Sequence, residues 1–415
     1  MSQASVVSRR NLTLAAGTLA AQVIIYVLLI VLSRELGTSD YGELASVFTL
    51  VVIGTIPGLA YQLWVARYVA RLRRTTPDAP LPATLVGFTL RLALACTVLT
   101  AVVVTALSPV LHTSTVPALV GVVLCVPAMV VVPALQGLLQ GEDRIARLAA
   151  MFTIAALGRL LGGLGAMAVH QGPLSALVGQ GVGMCVAAGV GVLLVDLPRD
   201  PARRGPTWWS VGRIVGAAGS IWVLANLDIV LARSVLPHHA AGLYSVGALI
   251  ARAVQFAPQF LVVSTFTRFT DPSQARQALV RAGRQLLGIG GLAVVGAAVL
   301  GPLVIPVVFG RSYEELGNVA WAFAALGTFV ALNQLLLSQR IAGQDERASV
   351  LVWAAAVVFT VSSFAVPGLT WVGLVALACG VNLALAATLA VRAARRPAVR
   401  TPAAAGRPVR SPRDP

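Results

Sequence analysis

The sequence predicts an all-α, polytopic integral membrane protein, with twelve transmembrane helices in two six-helix bundles around a central cavity. Three observations predict it. The 415-residue chain is 57% apolar and only 11% charged, with a mean hydropathy of +0.85, whereas an average soluble domain carries about 25% charged residues. Apolar windows of roughly 20 residues, the length that crosses a bilayer as a helix, recur along nearly the whole chain. The two halves of the chain also repeat one another.

Those windows place spans near 12–32, 43–64, 84–107, 117–139, 148–169, 174–195, 214–235, 241–263, 285–309, 316–337, 348–366 and 371–391. The first is preceded by Ser8-Arg9-Arg10-Asn11-Leu12, which resembles a twin-arginine export signal. The apolar run that follows is long enough to span and ends without a small-residue cleavage site, so Arg9 and Arg10 read as a cytoplasmic anchor. Counting Arg on alternate sides then sets the orientation. With a cytoplasmic N-terminus, 25 arginines fall inside, while the outside turns hold only Arg34, Arg233 and Arg311. Both termini are therefore expected in the cytoplasm of a bacterial cell, with the protein multi-pass in its inner (plasma) membrane. All four histidines, His112, His170, His238 and His239, fall outside.

Residues 1–197 read as an N-terminal six-helix bundle and 198–213 as a cytoplasmic linker marked by Pro198, Pro201, Arg203, Arg204 and Pro206. Residues 214–391 read as a C-terminal six-helix bundle, and 392–415 as a disordered Arg-, Pro- and Ala-rich cytoplasmic tail. The halves align through Arg34 with Arg233, Gly42 with Gly242, Pro57 with Pro258, Gly141 with Gly343 and Asp143 with Asp345, at offsets of 199, 200, 201, 202 and 202 residues. Slow drift of this kind follows duplication with small insertions. An even number of spans per half points both halves the same way, so the repeat axis lies along the membrane normal and a substrate path lies between the repeats.

The net charge of +16 comes from 31 basic and 15 acidic residues, and every basic residue is Arg. Without Lys there is neither a P-loop nor a Schiff-base enzyme. The arginines lie in loops between apolar spans, so their anionic partner is the inner-leaflet surface rather than nucleic acid. Cys96, Cys125, Cys185 and Cys379 lie in apolar stretches without metal-ligand spacing and read as small apolar residues. No cofactor or metal is implied.

The stretch 221–262 organises the chain as two apolar helices joined by a short polar turn. Ionisable side chains deep in such helices cost about 2.5–3.5 kcal/mol each on insertion scales, which makes them functional candidates. Arg252, Gln255 and Gln259, spaced i, i+3, i+7, share one helix face that Tyr244 and Ala248 extend outward. This stripe suits a cavity wall; the alternative is an Arg252–Asp228 pair acting as structural glue. Asn226 and Asp228 lie about 200° apart on an ideal helix, so both face a cavity only if the helix is distorted. Arg159, within Gly158-Arg159-Leu160-Leu161-Gly162, sits where small residues admit a neighbouring helix, either as a cavity cation or as a cap for carbonyls. Arg91, near the inner surface, is placed to snorkel. Pro57, Gly58 and Pro258 are expected to kink the second and eighth helices at equivalent places, as hinges for alternating access or as shape-setting bends.

Several motifs resemble those of a known family. The run Leu32-Ser33-Arg34-Glu35-Leu36-Gly37-Thr38-Ser39-Asp40-Tyr41-Gly42 resembles the first outer turn of polysaccharide-type (O-antigen) flippases, oligosaccharide exporters of the multidrug/oligosaccharidyl-lipid/polysaccharide superfamily. Val65-Ala66-Arg67-Tyr68-Val69-Ala70 is similar to the end of that family's second span. Asn226-Leu227-Asp228 with Ala241-Gly242-Leu243-Tyr244-Ser245 is similar to its seventh-to-eighth hairpin, and Ile305-Pro306-Val307-Val308-Phe309-Gly310 to the outer end of its ninth span. The resemblance implies two bundles forming a V-shaped cavity that opens alternately, and transfer of an undecaprenyl-diphosphate-linked oligosaccharide from inner to outer leaflet. It also implies that Arg252 holds the diphosphate, with polysaccharide-assembly proteins and a coupling ion as candidate partners. The first helix lacks the charges of the related peptidoglycan-precursor flippases, and their two extra spans are missing, which weighs against a peptidoglycan substrate.

Three rivals stand beside this expectation. A multidrug or cation antiporter of the same superfamily would want an acidic cavity, whereas the deep residues here are three Arg (Arg91, Arg159, Arg252) to one Asp. A membrane glycosyltransferase would use Glu35 and Asp40 as base or metal ligand, but large outer loops for an acceptor are missing. A non-transporting scaffold would be indifferent to cavity residues.

Overall fold

The computed structural model describes residues 3–76, 79–196, 200, 205–256, 275–342 and 347–394. These are helical almost throughout, with one isolated backbone pairing between Pro82 and Asp200. The first two spans are carried by α1 (Gln3–Gly54) and α2 (Ile56–Thr75), and the next four by α3 (Thr84–Leu111), α4 (Thr115–Gly141), α5 (Ile145–Val169) and α6 (Pro173–Leu193). After the linker come α7 (Trp208–Val235), α8 (His238–Phe256) and α9 (Ala275–Phe309). A 3₁₀ turn, Arg311–Tyr313, and the single-turn α10 (Glu314–Gly317) lead into α11 (Ala320–Ala342), α12 (Arg347–Ala365) and α13 (Trp371–Ala394).

Among the described residues, eight helical stretches qualify as membrane-crossing by length and composition, and the first of them, Leu12–Thr75, covers 64 residues and holds two spans. With α7, α8 and α12 the described residues provide helices for twelve spans, and the chain is a multi-pass membrane protein. The stretch 34–43, expected as a turn, is instead part of one 52-residue helical run broken in direction only at Gly37, whose φ of 72° and ψ of −177° reverse the chain without an extended loop. The ninth span starts earlier than the apolar window, because Arg281 and Arg284 lie on the helix before its apolar stretch begins. The second span is interrupted at Thr55, and Pro57 then sits in the first turn of α2, where its missing N–H leaves no bond unmade.

In the N-terminal half, α4 packs on α2, α3 and α6, while α5 lies between α1 and α6; in the C-terminal half, α11 packs on α8, α9 and α13, and α12 on α7. The halves meet along a seam where α1 packs against α7 and α8, and α2 against α7. The end of the molecule expected outside is called the Arg-poor end below, and the opposite one the Arg-rich end. At the Arg-rich end Glu142 accepts from Arg73 at 2.7 Å and Arg144 at 3.1 Å, and Arg144 also pairs with Asp196, tying α2, α5 and α6 together. There the linker joins the fold as a short two-way pairing, with Ala83 N–H donating to Asp200 O at 2.8 Å and Asp200 N–H to Leu81 O at 2.9 Å. α7 opens with a capping box between Thr207 and Ser210. Pro258, Gln259, Gly343, Asp345 and the tail beyond Ala394 lie outside the described residues.

Candidate functional site

The α7–α8 hairpin buries its polar residues against each other. A turn of Leu236 and Pro237 separates the helices. On α8, Tyr244, Ala248 and Gln255 are buried, and Arg252 is half-buried, so the stripe faces the protein interior and not lipid. Arg252 Nη2 donates to Asn226 Oδ1 at 2.8 Å, and Asn226 Nδ2 donates to the Trp222 carbonyl at 2.7 Å. Asp228 accepts from the Ile229 N–H at 2.9 Å and from the Tyr244 hydroxyl at 3.3 Å. The structure thus brings Asn226, Asp228 and Arg252 together without distorting α7: Arg252 reaches round to one flank, and Tyr244, about two turns away, serves the other. Among the described residues no ion pair joins Arg252 to Asp228. The guanidinium lies within electrostatic reach of Asp228 and, across the seam, of Tyr26 and Tyr41 on α1.

Arg159 is held in the same way in the other bundle. Its Nε and Nη2 donate to Gln180 Oε1 on α6, at 3.3 and 3.0 Å. Its guanidinium carbon lies 4.6 Å over the centroid of the Phe48 ring on α1, a cation–π geometry. Gln180 is 2% exposed and is the single side-chain amide of α6. The chemistry common to both centres is a guanidinium fixed by a neutral carboxamide oxygen. Such a partner orients the cation without ion-pairing it, whereas a bonded carboxylate would cancel its charge. A cation at membrane depth without a bonded carboxylate attracts an anionic group of a ligand.

Arg91 has no part in this arrangement. It is exposed, its Nε bonds the Gly87 carbonyl of its own helix at 3.1 Å, and its place suits snorkelling. Glu35 and Asp40 are exposed at the Arg-poor end. Gln255 is 5% exposed on α8. The sequence reading missed Gln180 and a buried amide pair in which Asn333 Nδ2 on α11 donates to Asn382 Oδ1 on α13 at 3.1 Å. Each carried a readable signal, a polar side chain inside an apolar span; what was missing was its partner.

No family model matches the chain, and no curated protein does either. Solved structures do match. The lipid II flippase MurJ in an inward closed conformation superposes with a TM-score of 0.68 at 11% identity, over 92% of this chain and 88% of that one. The eukaryotic MATE transporter AtDTX14 gives 0.61 at 16% identity, over 92% and 96%. A MOP superfamily transporter from Pyrococcus furiosus, described as having a binding pocket of reverse polarity, gives 0.57 at 13% identity, over 93% and 95%. The chain therefore shares, over nearly its whole length, the fold of the MATE and MurJ transporters of the MOP superfamily.

Proposed function

We propose that the protein is a non-enzymatic flippase. It moves an undecaprenyl-diphosphate-linked oligosaccharide from the inner to the outer leaflet of a bacterial plasma membrane by alternating access, for surface polysaccharide biosynthesis. The observation that carries the reading is the pair of carboxamide-held arginines, one in each bundle: Arg252 on Asn226 and Arg159 on Gln180. A diphosphate supplies the compensating charge, the glycan follows a polar path, and the prenyl tail stays in lipid. Gln255 and Gln259 extend the polar wall from Arg252, and Asp228 tunes it or binds a coupling ion. The interruption beside Pro57 and Gly58, with Pro258 as its repeat equivalent, serves as the hinge. A ligand shifts the two access states only through its different affinity for each, so the diphosphate contacts must differ between them.

A second reading, a multidrug or cation antiporter, is favoured by one observation: Asp228 is a carboxyl only 8% exposed at membrane depth. The two readings separate in one experiment. Thermal unfolding of the purified protein is followed with undecaprenyl-diphosphate-sugar and, separately, with a lipophilic cationic drug; a ligand at 100 times its Kd stabilises by about 2.7 kcal/mol. Stabilisation by the lipid diphosphate that is lost in Arg252→Ala supports the flippase. Stabilisation by the drug alone, lost in Asp228→Asn, replaces it with the antiporter.

A further inference from the structure

Arg34 and Arg233, equivalent residues 199 positions apart, each reach the third helix of the opposite half. Arg233 Nε donates to the carbonyl of Leu111, the last residue of α3, at 3.0 Å, and Nη1 donates to the Ser39 carbonyl at 3.3 Å. Arg34 Nη1 donates to the Val307 carbonyl, in the last turn of α9, at 3.4 Å. The last carbonyls of a helix have no partner within it and hold its partial negative charge, so they are natural seats for a cation. Here each seat is occupied from across the seam. Two further bonds cross at the same end: Tyr313 Oη donates to the Ser33 carbonyl at 3.1 Å, and Thr38 Oγ1 lies 2.8 Å from His239 Nδ1.

We propose that Arg34 and Arg233 form a repeat-symmetric latch that holds the Arg-poor end shut, and that opening this end requires both guanidiniums to leave the helix ends of the opposite bundle. The two halves of the latch are unequal. Arg233 is 3% exposed with two carbonyl partners, whereas Arg34 is exposed with one long bond. Arg233 therefore carries most of the closing energy. A released guanidinium is rehydrated at the surface, which makes the latch reversible. The proposal rests on the bundles moving as in the transport reading, but not on the identity of the cargo.

The test uses a variant whose four native cysteines are replaced by Ala, with Ala241→Cys as reporter. Ala241 is fully buried in the seam, where a Cβ on Gly42 would lie 3.5 Å from its carbonyl carbon. Ala149→Cys, buried at the Arg-rich end, is the control. In purified protein, Arg233→Ala raises the maleimide labelling rate of Ala241→Cys by about tenfold or more, the factor for losing a hydrogen bond to a charged group, and Arg34→Ala raises it by about twofold. Ala149→Cys is unchanged in both. Unchanged Ala241→Cys labelling in both variants overturns the latch. An equal rise at Ala149→Cys overturns it too, by making Arg233 a residue that holds the whole fold; the exposed Arg34 is free of that ambiguity. The measurement needs no substrate, so the latch stands or falls separately from the lipid-diphosphate reading.

Discussion

Gly42 and Gly242, equivalent residues 200 positions apart, lie against one another. A Cβ on Gly42 would sit 3.1 Å from the Gly242 nitrogen and 3.2 Å from its Cα. A residue that touches its own repeat equivalent lies on the axis relating the two halves, so the axis passes through this contact at the Arg-poor end of the seam. The sequence pairing of these glycines, made from spacing alone, thus has a physical reason: only a residue without a side chain lets the helices meet there.

Unequal damage from the two alanine substitutions follows. A Cβ on Gly242 would fall 2.9 Å from Thr38 Cα and closer still to its carbonyl. Backbone cannot step aside, so Gly242→Ala lowers stability by about 1–3 kcal/mol, the usual cost of overpacking. Gly42→Ala, whose nearest contact is looser, costs less. Because both substitutions spread the same contact, the double variant is less destabilised than the sum of the two. Denaturation midpoints of the three variants check the order.

The carboxamide-held arginines make a sharper prediction. In Asn226→Asp and Gln180→Glu the shape is kept, and a carboxylate replaces the amide that now contacts Arg252 and Arg159. Each substitution supplies an internal counter-charge, so the lipid-diphosphate affinity falls by about tenfold or more, the worth of one charge-assisted contact. The ligand-free protein keeps its melting temperature or gains. Isothermal titration and melting curves on the same samples measure both; affinity unchanged in both variants would rule out the two arginines as diphosphate ligands.

How far the sequence speaks for itself differs between fold and site. Twelve spans and the two halves were legible because bilayer thickness and duplication each leave a period in the chain. The helical passage through 34–43 was not, because polar residues at a membrane surface read alike as loop or as helix; only Gly37 betrays the reversal. At the site, Asn226, Asp228, Arg252 and Arg159 announced themselves by polarity in apolar spans. Their partners did not: Gln180 is 21 residues from Arg159, and Asn226 is 26 from Arg252. Only the packing of helices decides that Arg252 takes the amide and leaves the acid to Tyr244.

The Arg-poor end is also expected to respond to acid. His112 at the end of α3 and His238 at the start of α8 come from opposite halves, with ring centroids 5.3 Å apart. The charge of Arg233, then burial, then His112 hold the His238 imidazole below its ordinary 6.5, against the opposing pull of Glu43. A base whose value is lowered in the closed seam favours closure while it is neutral. That contribution is complete above about pH 6.5 and is lost as the pH falls toward the lowered value. Labelling of Ala241→Cys, normalised to an exposed reference cysteine, therefore rises as the pH falls from 7.5 to 5.5. His238→Gln flattens the profile; a profile unchanged in that variant assigns the pH response elsewhere.

The last prediction concerns what places Arg159. Gly158 and Gly162 of α5 face Gly183 and Gly179 of α6 backbone to backbone: a Cβ on Gly158 would lie 3.0 Å from the Gly183 carbonyl carbon, and one on Gly162 would lie 3.0 Å from that of Gly179. Lipid tails are as apolar as Leu, so helices associate here through close approach of small residues. Arg159 and Gln180 are the immediate neighbours of this ladder in sequence, and their 3.0 Å contact exists because the two backbones are this near. Gly179→Ala pushes α5 and α6 apart by a few tenths of an ångström or more, against backbone that cannot rotate away. It therefore lengthens the Arg159–Gln180 bond and loosens the guanidinium. Binding of the lipid diphosphate weakens by about fivefold or more, since a misoriented cation loses part of a bond worth about 1.5–3 kcal/mol. Gly189→Ala, on the same helix but with open space where its Cβ would go, leaves both affinity and stability unchanged. If Gly179→Ala lowers the melting temperature while the affinity stays at its original value, the ladder supports the fold alone and Arg159 is not a ligand.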